Sequence, residues 1–451
     1  MRVKRITIMA LIVALFGLTG AKVGALWPLQ QSDTTVPTPS PVFVFPHQEF
    51  TNQTTVAPES QLMLDRLSLR LQNNPNDFEA SLLKGLLLFH LGGVTDAITE
   101  LRGLSKRAPK FQLVHLILGD LLLARFDQLD SLGSRALQES VSREQQLRLQ
   151  QLQTEAKARL QGYFSSVDGV RIPRGLMTLS DKIKNALVVD KKKNRLYVYR
   201  NNGPGLPPEL VDDFYIVLGK QPGDKMREGD LKTPSGVYFI TSYLPDEKLP
   251  PLYGRGAFPV NYPNEFDRRQ EKTGTGIWLH GTDKSLYSRP PLDSEGCVVL
   301  TNEEFSRIAQ YVEIGKTPVI ISESVDWISS REWFDQNIEV QAALETWRQS
   351  WEKTHLDTYL KMYSEDFWTK GHNNGSWGAY KKQVFSGKTF QKIDLSDISL
   401  LNYPQEDPQR PMVVANFVQH YRSNNFNGDM AKRLYMVKEH GDWKVLYEGK
   451  Q

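Results

Sequence analysis

The sequence predicts a multidomain α+β protein with an N-terminal helical module, a central mostly-β domain and a C-terminal α+β, cone-like domain. Three observations predict it. At 451 residues the chain is longer than one hydrophobic core usually serves. The stretch from Gln30 to Pro58, rich in Thr, Pro, Ser and Gln, lacks apolar periodicity and sets a tether before the folded parts. Beyond it the apolar spacing is helical, then changes to short strand-like runs near Asn185, then to helix followed by strands beyond Trp333.

The first element is a leader. Met1-Arg2-Val3-Lys4-Arg5 is basic, Ile6 to Leu18 is almost wholly apolar, and Val23-Gly24-Ala25 offers small residues for cleavage. The apolar run falls short of the roughly 20 residues of a membrane span, so residues 1–25 are expected to be a signal peptide. An uncleaved anchor is the alternative, because Lys22 lies between the apolar run and the cleavage point. Residues 26–60 follow as a disordered linker. Over 61–165 a helical repeat-like module is expected. Pro75 and Pro109 lie 34 positions apart, as do Gly85 and Gly119, and Ala97 and Ser131. That is the period of tetratricopeptide helix pairs, where a small residue permits close helix contact and proline stops the second helix. Such a module would serve self-association or recruit a protein partner. Ser134 to Phe164 reads as one long helix, with Leu149, Leu152, Ala156 and Leu160 on one narrow face for the repeats or a second subunit.

The central domain, 184–323, changes period. Ala186-Leu187-Val188-Val189 and Arg195-Leu196-Tyr197-Val198-Tyr199 flank a turn-forming Asp190 to Asn194 and predict a hairpin. Further strands are expected at Phe214 to Leu218, Gly236 to Ser242, Ile277 to His280, Val298 to Leu300 and Pro318 to Ser322. One helix interrupts them where Thr301 and Glu304 form a capping-box pattern. In the C-terminal domain, 335–451, Gln341 to Trp368 reads as helix, closed by Ser364-Glu365-Asp366-Phe367-Trp368. Strands are expected at Ile393 to Leu401, Met412 to Tyr421, Lys432 to Lys438 and Trp443 to Tyr447. Helices followed by a curved sheet ending in Gly-Asp-Trp-Lys-Val resemble the nuclear-transport-factor-2-like fold, which hosts enzymes, ligand pockets and dimerisation modules alike.

The net charge of +3 carries no polyanion-binding tail, so nucleic acid is not an expected partner, and a membrane is expected only through an uncleaved leader. Neither a metal nor a cofactor is expected. Cys297 is the single cysteine. It cannot form an intrachain disulfide, and an exported chain seldom carries an unpaired thiol without use for it. His280 precedes it by 17 positions, a spacing that suits two adjacent strands bringing a base beside a nucleophile. The alternative is a buried cysteine acting as a small apolar side chain.

The surrounding motifs decide between these. Asp230-Leu231-Lys232-Thr233-Pro234-Ser235-Gly236-Val237-Tyr238, Gly276-Ile277-Trp278-Leu279-His280-Gly281 and Ser294-Glu295-Gly296-Cys297-Val298 stand in the order of the L,D-transpeptidase catalytic-domain family. The chain resembles that family from about Asn185 to Ser322. Tyr253-Gly254-Arg255-Gly256-Ala257-Phe258-Pro259, with Tyr262-Pro263-Asn264 and Asp267-Arg268, resembles its YafK-like branch. The resemblance implies exported enzymes acting on peptidoglycan stem peptides. A cysteine attacks the bond between the L-centre of a diamino acid and a terminal D-alanine, and the acyl group passes to another stem, a lipoprotein or water.

A thiol near its reference pKa of about 8.5 needs a base or a positive field to become thiolate, and His280 is the candidate base. The resemblance implies that the carbonyl of Gly281 fixes its tautomer; Asp283 and Asp293 are alternative orienters. Gly296 would permit the tight turn into Cys297. The backbone N–H groups of Gly296 and Cys297, with Ser294 and Glu295 alongside, are the expected oxyanion and substrate-binding set. Two departures stand out: Glu295 occupies a position where many members carry His or Arg, and Val298-Val299-Leu300 lacks an arginine common just after the cysteine. Transfer is the expected reaction. An L,D-carboxypeptidase, known in the family with such a tail domain, is the alternative, and a non-catalytic wall-associated scaffold is the third reading.

Overall fold

The computed structural model describes residues 58–123, 142–164, 172–404 and 409–451. The expected leader and nearly all of the tether, together with Ser131 and the first residues of the long helix, lie outside them. The described chain divides into two compact units. One holds the helices before Val167 together with Ser285–Pro291, and the other holds the rest.

The first unit is helical: α1 Pro58–Asn73, α2 Phe78–His90, α3 Val94–Arg107, α4 Gln112–Leu123 and α5 Arg143–Phe164. Asp77 caps α2 by accepting from the Ala80 N–H. Pro75 and Pro109 each follow a helix end by two residues, in the turns before α2 and α4. Gly85 lets α2 approach α3, since a Cβ there would stand 2.6 Å from Leu101. At Gly119 no described atom lies within 4 Å of such a Cβ, so the two glycines of the 34-residue spacing are not equivalent. The narrow face of α5 is buried in this unit, with Leu152 and Ala156 in one cluster and Leu160 in another. Arg159 of α5 is fully buried and holds Glu79 at 3.0 Å and Glu155 at 2.9 Å.

The second unit carries a five-stranded and a four-stranded sheet in the central domain, a seven-stranded sheet in the C-terminal domain and two two-stranded sheets. The strands that matter are β1 Leu176–Thr178, β2 Asn185–Asp190, β3 Arg195–Arg200, β4 Glu209–Tyr215, β5 Gly236–Phe239, β6 Gly256–Pro259, β7 Trp278–His280, β8 Val298–Val299 and β9 Pro318–Ser322. The hairpin β2–β3 forms at the predicted turn, with Asn194 in the left-handed region at φ 50°. The larger central sheet runs β4-β3-β2-β9-β5; the smaller one places β8 beside β7 and β7 beside β6. Leu187, Val189, Leu279, Val298, Val319 and Ile321 close the core between them. After β8 comes the short helix α7 Asn302–Ile308, following the earlier α6 Glu265–Arg269. Thr301 caps α7 and Glu304 bonds back, the capping box read from the sequence.

The helices of the C-terminal domain are placed differently from the single helix expected over Gln341 to Trp368. Helix α8 spans Ser330–Glu352, starting at a capping box of Ser329 and Glu332 that the sequence reading passed over. A second helix, α9, is short, Leu356–Lys361, and the expected helical close at Ser364 to Trp368 is instead strand β10, Tyr363–Thr369. Its Tyr363 and Phe367 are buried four residues apart, a spacing that puts them on one face of a strand and of a helix alike. After α10 Asn374–Ser386 come the long strands β11 Gln391–Tyr403, β12 Met412–Ser423, β13 Asn427–Glu439 and β14 Asp442–Lys450. His440 and Gly441, both at positive φ, turn β13 into β14.

The central and C-terminal domains share a core. Strand β1 pairs with β11, extending the C-terminal sheet to seven strands. Val188, Tyr197, Val237 and Ile320 from the larger central sheet are buried in one cluster with Leu401, Val414, Tyr435 and Val437. Glu265 of α6 is gripped by Arg433 at 3.1 Å and by the Tyr435 hydroxyl at 3.0 Å. Among the described residues no helix is long and apolar enough to cross a membrane.

Candidate active site

The parallel pairing of β7 with β8 sets Leu279 against Val298 and His280 against Val299. Leu279 and Val298 both point into the core. Successive side chains alternate faces, so His280 and Cys297 share the opposite face, diagonally across the two strands. The Leu300 N–H donates to the His280 carbonyl at 2.9 Å and extends the ladder beyond the pair. Sequence spacing alone suggested adjacent strands; the register now supplies a common face.

His280 is 2% exposed. Its Nδ1 lies 2.6 Å from the Gly281 carbonyl oxygen. A carbonyl can only accept, so Nδ1 carries the proton and Nε2 keeps the basic lone pair. The Gly281 carbonyl thus holds Nδ1. Gly281 must be glycine for packing reasons: a Cβ would stand 2.4 Å from Asn302 Oδ1 and 3.1 Å from the Arg255 nitrogen. Asn302 in turn accepts from the Arg255 N–H at 3.0 Å and donates to the Thr282 carbonyl at 2.7 Å, locking the strand end that carries the histidine.

Cys297 is partly exposed, and its thiol donates to the Gly276 carbonyl at 3.5 Å. The turn before it is built by Ser294, whose hydroxyl donates to the Cys297 carbonyl at 2.7 Å and accepts from the Gly296 N–H at 3.1 Å. Ser294 is 4% exposed. It shapes the turn from within, and the Gly296 N–H is engaged there. Gly296 itself sits at φ 127°, and a Cβ there would meet the Lys232 carbonyl at 2.7 Å. Glu295 is exposed.

Tyr253 is the site residue the sequence reading did not single out. Its ring stands 4.9 Å from that of His280, edge to face, and 4.9 Å from that of Trp278. Burial first, then the negative charges of Cys297 and Glu295, push its phenol above the ordinary tyrosine range. Tyr253 and Glu295 thereby frame the nucleophile from two segments. Its signal in the sequence was the following Gly254, at φ 62°, where a Cβ would lie 2.1 Å from Asn302 Oδ1. Among the described residues no group of three or more His, Cys, Asp or Glu is placed to hold a metal.

The L,D-transpeptidase catalytic domain matches residues 184–321, which contain this whole arrangement. The Cds6 C-terminal NTF2-like domain matches residues 339–449. The solved structure of Bdellovibrio bacteriovorus Bd1075 is 30% identical with a TM-score of 0.55, covering 62% of this chain and 98% of that one. This chain belongs to the L,D-transpeptidase catalytic-domain family. The helical cell shape determining protein Pgp2 from Campylobacter jejuni is 29% identical with a TM-score of 0.53, covering 61% of this chain and 95% of that one. The putative L,D-transpeptidase YafK of Escherichia coli strain K12 is 26% identical over 23% of this chain and 44% of its own length, so the match spans less than half of that relative. The L,D-transpeptidase-type domain and the NTF2-like domain are the two that share a core here.

Replacing His280 with Gln should slow alkylation of Cys297 by iodoacetamide at neutral pH about tenfold, because an unassisted thiol is only a few per cent thiolate there. Alkylation is followed by intact mass. An unchanged rate in His280→Gln would uncouple the two residues.

Proposed function

We propose that the protein is an exported peptidoglycan L,D-transpeptidase that acts through a Cys297 acyl-enzyme on stem tetrapeptides and releases D-alanine. The observation that carries this reading is His280, held by Gly281 so that Nε2 is basic on the face it shares with Cys297. Nε2 takes the thiol proton as the sulfur adds to the carbonyl of the diamino-acid residue. It returns the proton to the amine of D-alanine as that bond breaks, leaving a thioester. An amine from a second stem then attacks the thioester and regenerates the thiol. Exposed Glu295, beside the nucleophile, suits a protonated acceptor amine.

Hydrolysis is the second reading, favoured by the NTF2-like domain that this chain carries. In it water takes the place of the acceptor and the product is a tripeptide. The likeness to a cell shape determining protein supports a role in cell shape under either reading. The basic and apolar leader supports export to the periplasm or cell envelope, and the 34-residue spacing supports a tetratricopeptide-like module for self-association or a wall-synthesis partner.

Incubation with a disaccharide tetrapeptide, followed by mass analysis of the products, is expected to give cross-linked dimers and free D-alanine. Tripeptide as the sole product at high acceptor concentration would overturn transfer in favour of trimming.

A further inference from the structure

The outer face of the C-terminal sheet carries a group of side chains that the Cys297 site does not use. Strand β11 supplies Ser396, β12 supplies His420 and β13 supplies Asp429. His420 stands directly opposite Asp429 on one side and Asp394 on the other. Opposed residues share a face and alternate residues return to it, so Ser396, two positions after Asp394, lies on that face too. Ile393, Phe417 and Tyr421 are buried on the other face, in the core of the domain. Ser396 Oγ is 2.9 Å from His420 Nε2, and His420 Nδ1 is 3.2 Å from Asp429 Oδ1. Arg422 donates to the same carboxylate at 2.7 Å and to the Tyr421 and Gly428 carbonyls at 2.9 and 3.2 Å. Hydrogen bonding from Arg422, opposed by desolvation and joined by His420, holds the Asp429 carboxyl below its ordinary range. A carboxylate can only accept, so it favours the proton on Nδ1 and leaves Nε2 to accept from the Ser396 hydroxyl. Ser396 is also the last regularly paired residue before a bulge, with Asp397 at φ 55°, and bulges re-aim the side chains beside them.

We propose that Ser396, His420 and Asp429 form a second catalytic site, a serine–histidine–carboxylate array that hydrolyses small carboxylic esters at the outer face of the C-terminal sheet. Such an array is recognised by the roles and distances of its members, not by their order in the chain. Ser396 Oγ adds to the ester carbonyl while Nε2 takes its proton. The bond to the alcohol oxygen then breaks, the alcohol leaves with that proton, and an acyl-serine remains. Water adds to the acyl carbon, gives its proton to Nε2, and the carboxylic acid departs as Ser396 regains its hydroxyl. The side chains of His420 and Asp429 are 35% and 51% exposed, so the array is reached directly from solvent. Val418, opposite Ser396 and partly exposed, offers apolar contact to a short acyl chain. On so open a face water meets the charge that develops on the carbonyl oxygen, which makes turnover slow and the acyl-serine the diagnostic species. The site shares no residue with the one around Cys297 and does not depend on the substrate assigned there.

The test uses the full chain carrying Cys297→Ala, which removes the thiol as a competing nucleophile. The probe is p-nitrophenyl acetate, followed by nitrophenolate release and by mass mapping of the acid-quenched protein. An acetyl adduct is expected on Ser396, with hydrolysis that falls about a hundredfold when Ser396→Ala or His420→Gln is added. Asp429→Asn should cost less, because that carboxylate orients the base without touching the ester. A fluorophosphonate should label Ser396 and stop the hydrolysis. All three side chains lie on the surface, so thermal melts of the variants should match their parent, and a loss of hydrolysis then reports chemistry instead of unfolding. Equal hydrolysis with and without the Ser396 hydroxyl, and no adduct there, would overturn the proposal. So would a loss in His420→Gln that Ser396→Ala does not share, which would make the imidazole the nucleophile by itself.

Discussion

Cys297→Ala is expected to lose all turnover while melting within a few degrees of the parent. The chemistry needs a sulfur to carry the acyl group, and no other cysteine exists in the chain to substitute for it. The fold does not need the thiol. Its hydrogen bond to the Gly276 carbonyl is long, at 3.5 Å, and the turn is secured by Ser294 through the backbone of residue 297, which alanine retains. The side chain is partly exposed, so removing one sulfur opens little cavity. Product analysis and a thermal melt together check the expectation; retained turnover would remove the covalent mechanism.

The second large effect concerns stability. Lys381 of α10 is 5% exposed and is ringed by Trp351, Trp377 and Tyr359, with its Nζ 4.1, 4.5 and 5.2 Å from their centroids. Burial, opposed by the Glu448 charge and reinforced by that of Lys432, pulls its amine down from 10.5 to about 7. Glu448 is engaged by Lys432 and by the Tyr363 hydroxyl. A lysine whose folded pKa is lowered disfavours folding wherever the unfolded chain is protonated and the folded one resists. The cost is absent above about pH 10.5, grows as pH falls, and is complete near pH 7 and below. Lys381→Met should remove it, because an unbranched thioether fits an aromatic ring of this kind. At about 1.4 kcal/mol per pKa unit, the gain is on the order of a few kcal/mol at neutral pH and vanishes toward pH 10. Chemical denaturation of the two proteins at both pH values checks it. A Lys381→Met variant that is less stable at pH 7 would mean that the ammonium is held favourably by its surroundings.

Local pattern carried much of the fold. The β2–β3 hairpin, strand β9 and the capping box of α7 depend on neighbours within a few residues, and each was legible. Strand β10 was not, because it pairs in parallel with β14, far along the chain, and its buried aromatics four residues apart suit a helix as well as a strand. The pairing of β1 with β11 was hidden for the same reason: three residues before the central domain complete a sheet formed after it. At the site, residue type and order pointed to His280 and Cys297, and the family resemblance to Gly281. What Ser294 does could not be read, since serine serves equally to bind a substrate or to satisfy a turn, and only the distances to Gly296 and Cys297 decide.

The most direct measurement is the capture of the acyl-enzyme. The full chain is mixed with a disaccharide tetrapeptide, quenched in acid within the first turnovers, digested and examined by mass spectrometry. The account predicts an adduct equal to the substrate less D-alanine on the peptide that contains Cys297, discharged by added amine or water and absent from Cys297→Ala. Turnover with no adduct at any quench time, or the same adduct in Cys297→Ala, would contradict it.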